Sequence, residues 1–218
     1  MPQGPVNVDV GAVRELIIAG WTGRDQAALE AHIKELEALG VARPHETPAF
    51  YPVDASLLTN AASVEVDGRD STGEVEAVLI AADDGIWVGV GSDHTDRKLE
   101  AVSVIGSKRA CPKPVSREAW PFREVEPHWD ELILRSRAIV NGSTAPYQEG
   151  TVSALRNPRE LMALYEQRHA RKFAPGFAMF CGTLPVTGGL RWADTFVMEL
   201  EDPVLGRRIA HRYDVRIR

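Results

Sequence analysis

The chain has 218 residues, 44% hydrophobic and 26% charged, with a net charge of -6 at pH 7. That suits one large domain or a small pair with a substantial core, able to fold alone. A pI near 5.6 and scattered Lys and Arg exclude a broad basic footprint for nucleic acid, so a small molecule is the default partner.

The N-terminal stretch MPQGPVNVDVGAVRELIIAGWTG lacks the basic start and the long apolar run of a signal peptide, and no run approaches bilayer length. A cytoplasmic protein with no membrane partner is the expectation. Cys111 and Cys181 are too few and too far apart for a disulfide framework or a thiolate metal site.

After Gly23, RDQAALEAHIKELEALG sets Ala28, Leu29, Ile33, Leu36 and Leu39 near helical spacing between Asp25 and Gly40. Prolines 44, 48 and 52 then interrupt any helix, leaving a loop that enters a strand near Ala49 to Val53. ASVEVDG, GEVEAVLIA and GIWVGVG alternate or run apolar in short bursts between Gly, Asp and Ser, as strands and hairpins do.

KLEAVSVIGS serves either period, and a helix across Asp96 to Ile105 is preferred. Pro112, Pro114, Pro121 and Pro127 mark an extended stretch. Strands follow around Asp130 to Val140 and Gln148 to Val152, joined by an Asn141-Gly142 turn. NPRELMALYEQRHARKF is a second helix, capped by Asn157 with Pro158 in its first turn. FAMFCGTLPVTGG, TFVMEL and RRIAHRYDVRI return to strands. No repeat, low-complexity tract or linker appears, so a single α+β domain, predominantly β, is expected over residues 1–218.

Glu74 and Glu76 share one face of a strand, because side chains two apart point the same way. They either line a wet face or form part of a site. Asp93 follows the next strand, and a hairpin turning at Asp83-Asp84-Gly85 can bring it beside them. Three carboxylates without cysteine favour a hard cation, Mg²⁺ first, with Mn²⁺ or Ca²⁺ as alternatives. Such an ion keeps positions for water or for a chelating anionic substrate such as a 2-oxo acid.

Lys108, in IGSKRACPKP, either lies on the surface or meets a substrate carboxylate or developing oxyanion. His32 and Glu35 fall on one helix face, where the carboxylate can orient the imidazole as a general base, although such pairs also occur on solvated helices. GTLPVTGG either offers backbone N-H groups to an anion or simply turns. The other histidines lack ligand spacing, and His94 adjoins Asp93.

In this order, these segments resemble the fumarylacetoacetate hydrolase superfamily, whose members use a divalent cation to cleave or rearrange 2-oxo acids and 1,3-dicarbonyl compounds. HIKE resembles its His-x-x-Glu lid helix, implying His32 and Glu35 as the water-activating pair. GEVEAVLI is similar to its E-x-E strand, implying Glu74 and Glu76 as metal ligands. GVGSDHTDRKLE resembles Gly-x-x-Asn-Asp-x-Ser-x-Arg and implies Asp93 as the third. SKRACPKPVS resembles the stretch with the active-site lysine, here Lys108, and FAPGFAMFCGTLPVTGG the late Gly-Thr-Pro motif, nominating Gly182 and Thr183 for substrate carboxylate binding. The chain departs from the pattern at Ser92 in place of Asn, at His-Thr-Asp after Asp93, and at Leu184 before Pro185.

The resemblance runs from about Gly20 to the end and implies a mixed β-sandwich roll, with a helical lid at about 20–48 over a β-rich metal-binding core at about 49–218. A homodimer is implied as well. The implied activity is metal-dependent hydrolysis of a carbon-carbon bond in an acylpyruvate-like 2,4-dioxo acid. The alternatives are a lyase (decarboxylase, hydratase or dehydratase) acting on a 2-oxo or sugar acid, and a non-catalytic metal-binding domain.

Overall fold

The computed structural model describes residues 4–38 and 43–218, without the side chains of His32 and Leu36. Strands β1 (Val6–Asn7) and β2 (Glu15–Gly20) precede helix α1 (Gln26–Ala38) and strand β3 (Ala49–Val53). Short strands β4 (Leu58–Thr59), β5 (Ser63–Val66) and β6 (Ser71–Thr72) lead to the hairpin of β7 (Val75–Ala82) and β8 (Gly85–Ser92). Next come β9 (Thr95–Asp96), α2 (Arg97–Glu100), α3 (Val104–Ala110), β10 (Lys113–Pro114), β11 (Glu118–Pro121) and α4 (Phe122–Val125). The C-terminal part comprises β12 (Ile133–Val140), β13 (Ser143–Thr151), α5 (Pro158–His169), β14 (Phe177–Thr183), β15 (Thr195–Asp202) and β16 (Arg207–Ile217).

Seven strands form a mixed sheet in the order β1-β11-β8-β7-β14-β2-β3, and five form a second, β13-β12-β15-β16-β5. Alternation along β7 decides the layering. Val75, Ala77, Leu79 and Ala81 join Leu134, Phe196, Met198, Leu200 and Tyr213 in the core between the sheets. Val78 and Ile80 point the other way, into a second apolar cluster with Leu16, Ile18, Val53 and Phe180. Both faces of the large sheet are therefore covered, which is why its central strands read as continuous apolar runs.

Glu74 and Glu76 share the parity of Val78 and Ile80, so they belong to this covered second face. Burying apolar area on both sides, at about 25 cal/mol per Å², holds the strand ends in place.

Three local expectations change. The run GAVRELIIAG contains the internal strand β2, parallel to β14 and antiparallel to β3, where no strand was expected. The Asp96 to Ile105 helix is two helices, capped by the Asp96 and Ser103 side chains and interrupted at residues 101–103. The stretch expected to be extended up to Pro127 instead turns through α4 and a 3-10 segment at Glu126–Glu131, because proline early in a helical turn loses no hydrogen bond. The end expected for α1 at Gly40 lies outside the described residues.

Candidate metal centre

The site lies where β7 and β8 begin and end. Val75 pairs with Ser92 and Glu76 with Gly91, and the Asp93 amide donates to the Glu74 carbonyl at 3.0 Å. The hairpin thus returns Asp93 to the glutamates, and one oxygen from each of Glu74, Glu76 and Asp93 falls within 4.8 Å of the others. Gly91 permits the close packing, because a Cβ there would lie 2.7 Å from Val78 Cγ2 and 2.9 Å from the Pro114 carbonyl. Glu76 is 2% exposed and Asp93 0%, so the wet-face alternative fails for both.

Three cations converge on the carboxylates. Lys108, on the last turn of α3, contacts Asp93 Oδ2 and lies 3.6 Å from Glu74 Oε2. Lys113 reaches Asp93 Oδ1 at 2.8 Å and donates to the His94 carbonyl at 2.6 Å. Arg97 pairs with Glu74 at 3.0 Å and with Glu100 at 2.8 Å, and donates to Thr72 Oγ1 at 2.7 Å. The interruption between α2 and α3 lets Arg97 and Lys108 approach Glu74 from separate helices. Lys108 is buried, so its surface alternative also fails.

Burial, reinforced by Asp93 and Glu74, pushes the Glu76 carboxyl well above the usual range. Burial acts on Asp93 in the same direction, yet Lys108 and Lys113 together bring it down to about 2. Burial opposes the Lys108 charge, but Asp93 and Glu74 raise its pKa. The three carboxyls crowd together, and burial beside Asp93 and Glu74 disfavours the charged form of Glu76, a penalty that a divalent cation would relieve. The donors are all oxygen, and the nearby His94 ring is already committed to Tyr213 and Ser71 at 3.0 Å each. Such a set fits a hard ion better than zinc.

Gly182 and Thr183 also reach this place, by an irregularity in β14. Phe180 pairs with Val78 but Thr183 with Glu76, so β14 carries one extra residue. The bulge points the Gly182 N-H at Glu76 Oε2, 2.6 Å away. Its φ is +100°, and a Cβ would lie 1.7 Å from Thr22 Oγ1, so glycine is required. The Thr183 hydroxyl donates to the Val75 carbonyl at 2.9 Å. Both nominated anion-binding groups therefore adjoin the carboxylates, already bonded within the protein.

The His32 side chain lies outside the described residues. Glu35 is exposed on α1, whose buried side chains include Leu29 and Ile33. Just ahead of that helix, Trp21 adopts φ +57° and its indole donates to the Tyr51 hydroxyl at 3.0 Å.

Four contributors were not assigned from sequence. Arg97 was legible as the arginine closing GVGSDHTDR. Lys113 gave only the spacing of two lysines five apart. Ser92 Oγ accepts from the Glu74 amide and from the Tyr213 hydroxyl, each at 3.0 Å, so this departure from Asn steadies the backbone that carries Glu74. With its proton donated to Ser92, the Tyr213 hydroxyl accepts from His94 Nδ1-H, and burial with Lys113 and Arg97 nearby brings that imidazole down to about 3.

The two-sheet fold is similar to that of solved fumarylacetoacetate hydrolase family proteins, the fold that the motifs implied. A yeast fumarylacetoacetate hydrolase family protein matches with a TM-score of 0.64 over 96% of this chain and 95% of its own, at 19% identity. The 2-keto-3-deoxy-D-arabinonate dehydratase complexed with magnesium and 2,5-dioxopentanoate matches at 0.64 over 95% and 74%, with 16% identity. The 5-carboxymethyl-2-hydroxymuconate delta-isomerase from Mycobacterium smegmatis matches at 0.64 over 95% and 78%, with 15% identity. At these identities the likeness is one of fold. No curated protein sequence matches the chain. The sequence profile described as "Protein of unknown function (DUF2848)" matches residues 19–213, and the chain belongs to that family.

Proposed function

We propose that the chain is a divalent-metal-dependent enzyme acting on small anionic 2-oxo acids, and that it hydrolyses a carbon-carbon bond in an acylpyruvate-like 2,4-dioxo acid. The observation that carries this reading is the convergence of Glu74, Glu76 and Asp93 within 4.8 Å, at a place with little exposure. These three hold the ion, Mg²⁺ by preference. When bound there, the ion supplies Lewis-acid polarisation of the substrate's 2-oxo oxygen.

The rest of the chemistry belongs to side chains. Gly182 and Thr183 orient the substrate carboxylate, and Lys108 offers positive charge to the oxygen that becomes anionic. His32, oriented by Glu35, takes a proton from water, and the resulting hydroxide adds to the distal carbonyl carbon. The bond between that carbon and its neighbour on the 2-oxo side breaks. Its electron pair delocalises onto the former 2-oxo oxygen, and His32 returns the proton to carbon, giving a carboxylic acid and a 2-oxo acid. Closure of the α1 segment excludes bulk water during this step. A homodimer belongs to the same reading.

A lyase reading is the second, favoured by the dehydratase among the structural neighbours. It uses the same carboxylates but releases carbon dioxide, or removes or adds water at a carbon-carbon double bond, without hydrolysing a carbon-carbon bond. The two separate on a panel of acylpyruvates, followed by enol absorbance with metal-stripped protein before and after adding Mg²⁺. Loss of absorbance only with metal, abolished in His32→Ala, is the expected result. No loss in a sample shown to bind metal sinks the hydrolase and turns the assay to sugar acids and decarboxylation.

A further inference from the structure

The carboxylates and the Gly182-Thr183 bulge come from neighbouring strands of one sheet, but a single amide from the other sheet joins them. Gln148, on β13, is 1% exposed. Its Oε1 accepts from the Val75 amide at 2.9 Å and from Ser136 Oγ at 3.1 Å. Its Nε2 donates to Thr183 Oγ1 at 2.7 Å and to the Leu184 carbonyl at 2.6 Å. Two accepted and two donated bonds exhaust the capacity of a carboxamide.

The partners are specific to the site. Val75 lies between Glu74 and Glu76, and its N-H faces the side on which the bulge displaces β14. The Gln148 carbonyl supplies the acceptor there, completing the ladder at the point where the strand turns away.

A second irregularity delivers the side chain. Ser136 pairs with Gln148 but Arg137 with Pro146, so Tyr147 is an extra residue in β13. Strict alternation would send Tyr147 and Gln148 to opposite faces, whereas both are buried here. One bulge turns Gly182 toward Glu76, and the other aims Gln148 at the gap beside it.

We propose that Gln148 is the positioning residue of this centre, fixing the spacing between the Glu74-Glu76 strand and the Gly182-Thr183 loop. It touches neither ion nor substrate, and it acts through Val75 and Thr183. The proposal rests on the metal-centre reading for its consequence, but its geometry is a property of the metal-free chain.

The test is Gln148→Glu, which keeps the shape but replaces the donor to Thr183 Oγ1 and the Leu184 carbonyl with an oxygen that the carbonyl repels, pushing the side chain, with its acceptor for the Val75 amide, out of place. Two measurements are made on the folded full chain. The first is amide hydrogen exchange without metal, and the expected result is faster exchange at Val75 and at residues 182–184, with the remainder of β7 and β14 protected as in the parent. The second is Mn²⁺ titration by calorimetry, with affinity expected to fall about tenfold, as when the outer partners of metal ligands are lost.

Exchange unchanged at those amides overturns the proposal. Exchange rising evenly through both sheets also overturns it, because it marks Gln148 as a general core group. Thr183→Val supplies a further check: its effect on exchange at Val75 overlaps with that of Gln148→Glu if the two act as a unit, and strict additivity contradicts that. If the parent binds no Mn²⁺, the metal-centre reading fails, and the exchange result alone decides for or against Gln148.

Discussion

Two sets of charged side chains on the strands invite comparison. On the five-stranded sheet, Arg135 pairs across strands with Glu149 at 2.7 Å, with Glu199 at 3.3 Å and with Glu201. At the end of β7 and β8, three carboxylates likewise meet cations. Each group has three acids, yet they are physically different. Glu149 and Glu201 keep much of their exposure, whereas Glu76 and Asp93 are buried and their oxygens converge with that of Glu74. The lesson is that acidic crowding demands compensating cations when solvent cannot relieve it, and makes only a surface ladder when it can.

The largest effect should come from removing a buried partner. Lys113→Met takes one of two ammonium groups from Asp93, and the unfolding free energy of the metal-free protein, read from the urea midpoint, should fall by about 3–5 kcal/mol. An unchanged midpoint would mean that Lys108 alone sustains that carboxylate. Next in size, Glu76→Ala should weaken Mn²⁺ binding by more than about 100-fold in a calorimetric titration. Glu199→Ala, its counterpart on the outer sheet, should leave that titration untouched, and equal losses in both variants would erase the distinction.

Metal itself gives the third measure. At a free concentration about 100 times Kd, Mg²⁺ or Mn²⁺ should stabilise the parent by about 2.7 kcal/mol, a gain removed by EDTA and absent in Glu76→Ala. The smallest effect belongs to the surface. Asp130, paired with Arg24 at 2.7 Å, is held below its usual range by that hydrogen-bonded guanidinium. A depressed carboxyl stabilises above its unfolded pKa and loses that contribution as pH falls through the folded value. Asp130→Asn should therefore cost less than about 1 kcal/mol at pH 7. In paired denaturation curves the difference should shrink as pH falls below the unfolded carboxyl value of about 3.9.

The same contrast explains what could be read in advance. GEVEAVLIA and GIWVGVG displayed their strands because apolar side chains repeat with the parity of a pleated sheet. The hairpin turn between them required Asp93 to return to the glutamates. The interruption between α2 and α3 was not legible, since KLEAVSVIGS suits a continuous helix, and the Ser103 cap acts only once the chain has turned. GAVRELIIAG was too short an apolar run to identify β2, which depends on pairing with β14 and β3 from distant parts of the chain. Gln148 offered no signal at all, because its role depends on bulges in two strands.

The sequence by itself determined the carboxylates, their spacing and the strands that bear them, since these follow from side-chain identity and a local period of two. Tertiary structure alone decided that the strand face is buried, that Lys108, Lys113 and Arg97 meet there, and that a carboxamide from the opposite sheet ties β7 to β14. Those outcomes depend on register, bulges and covering layers, and each arises from contacts between residues far apart in the chain.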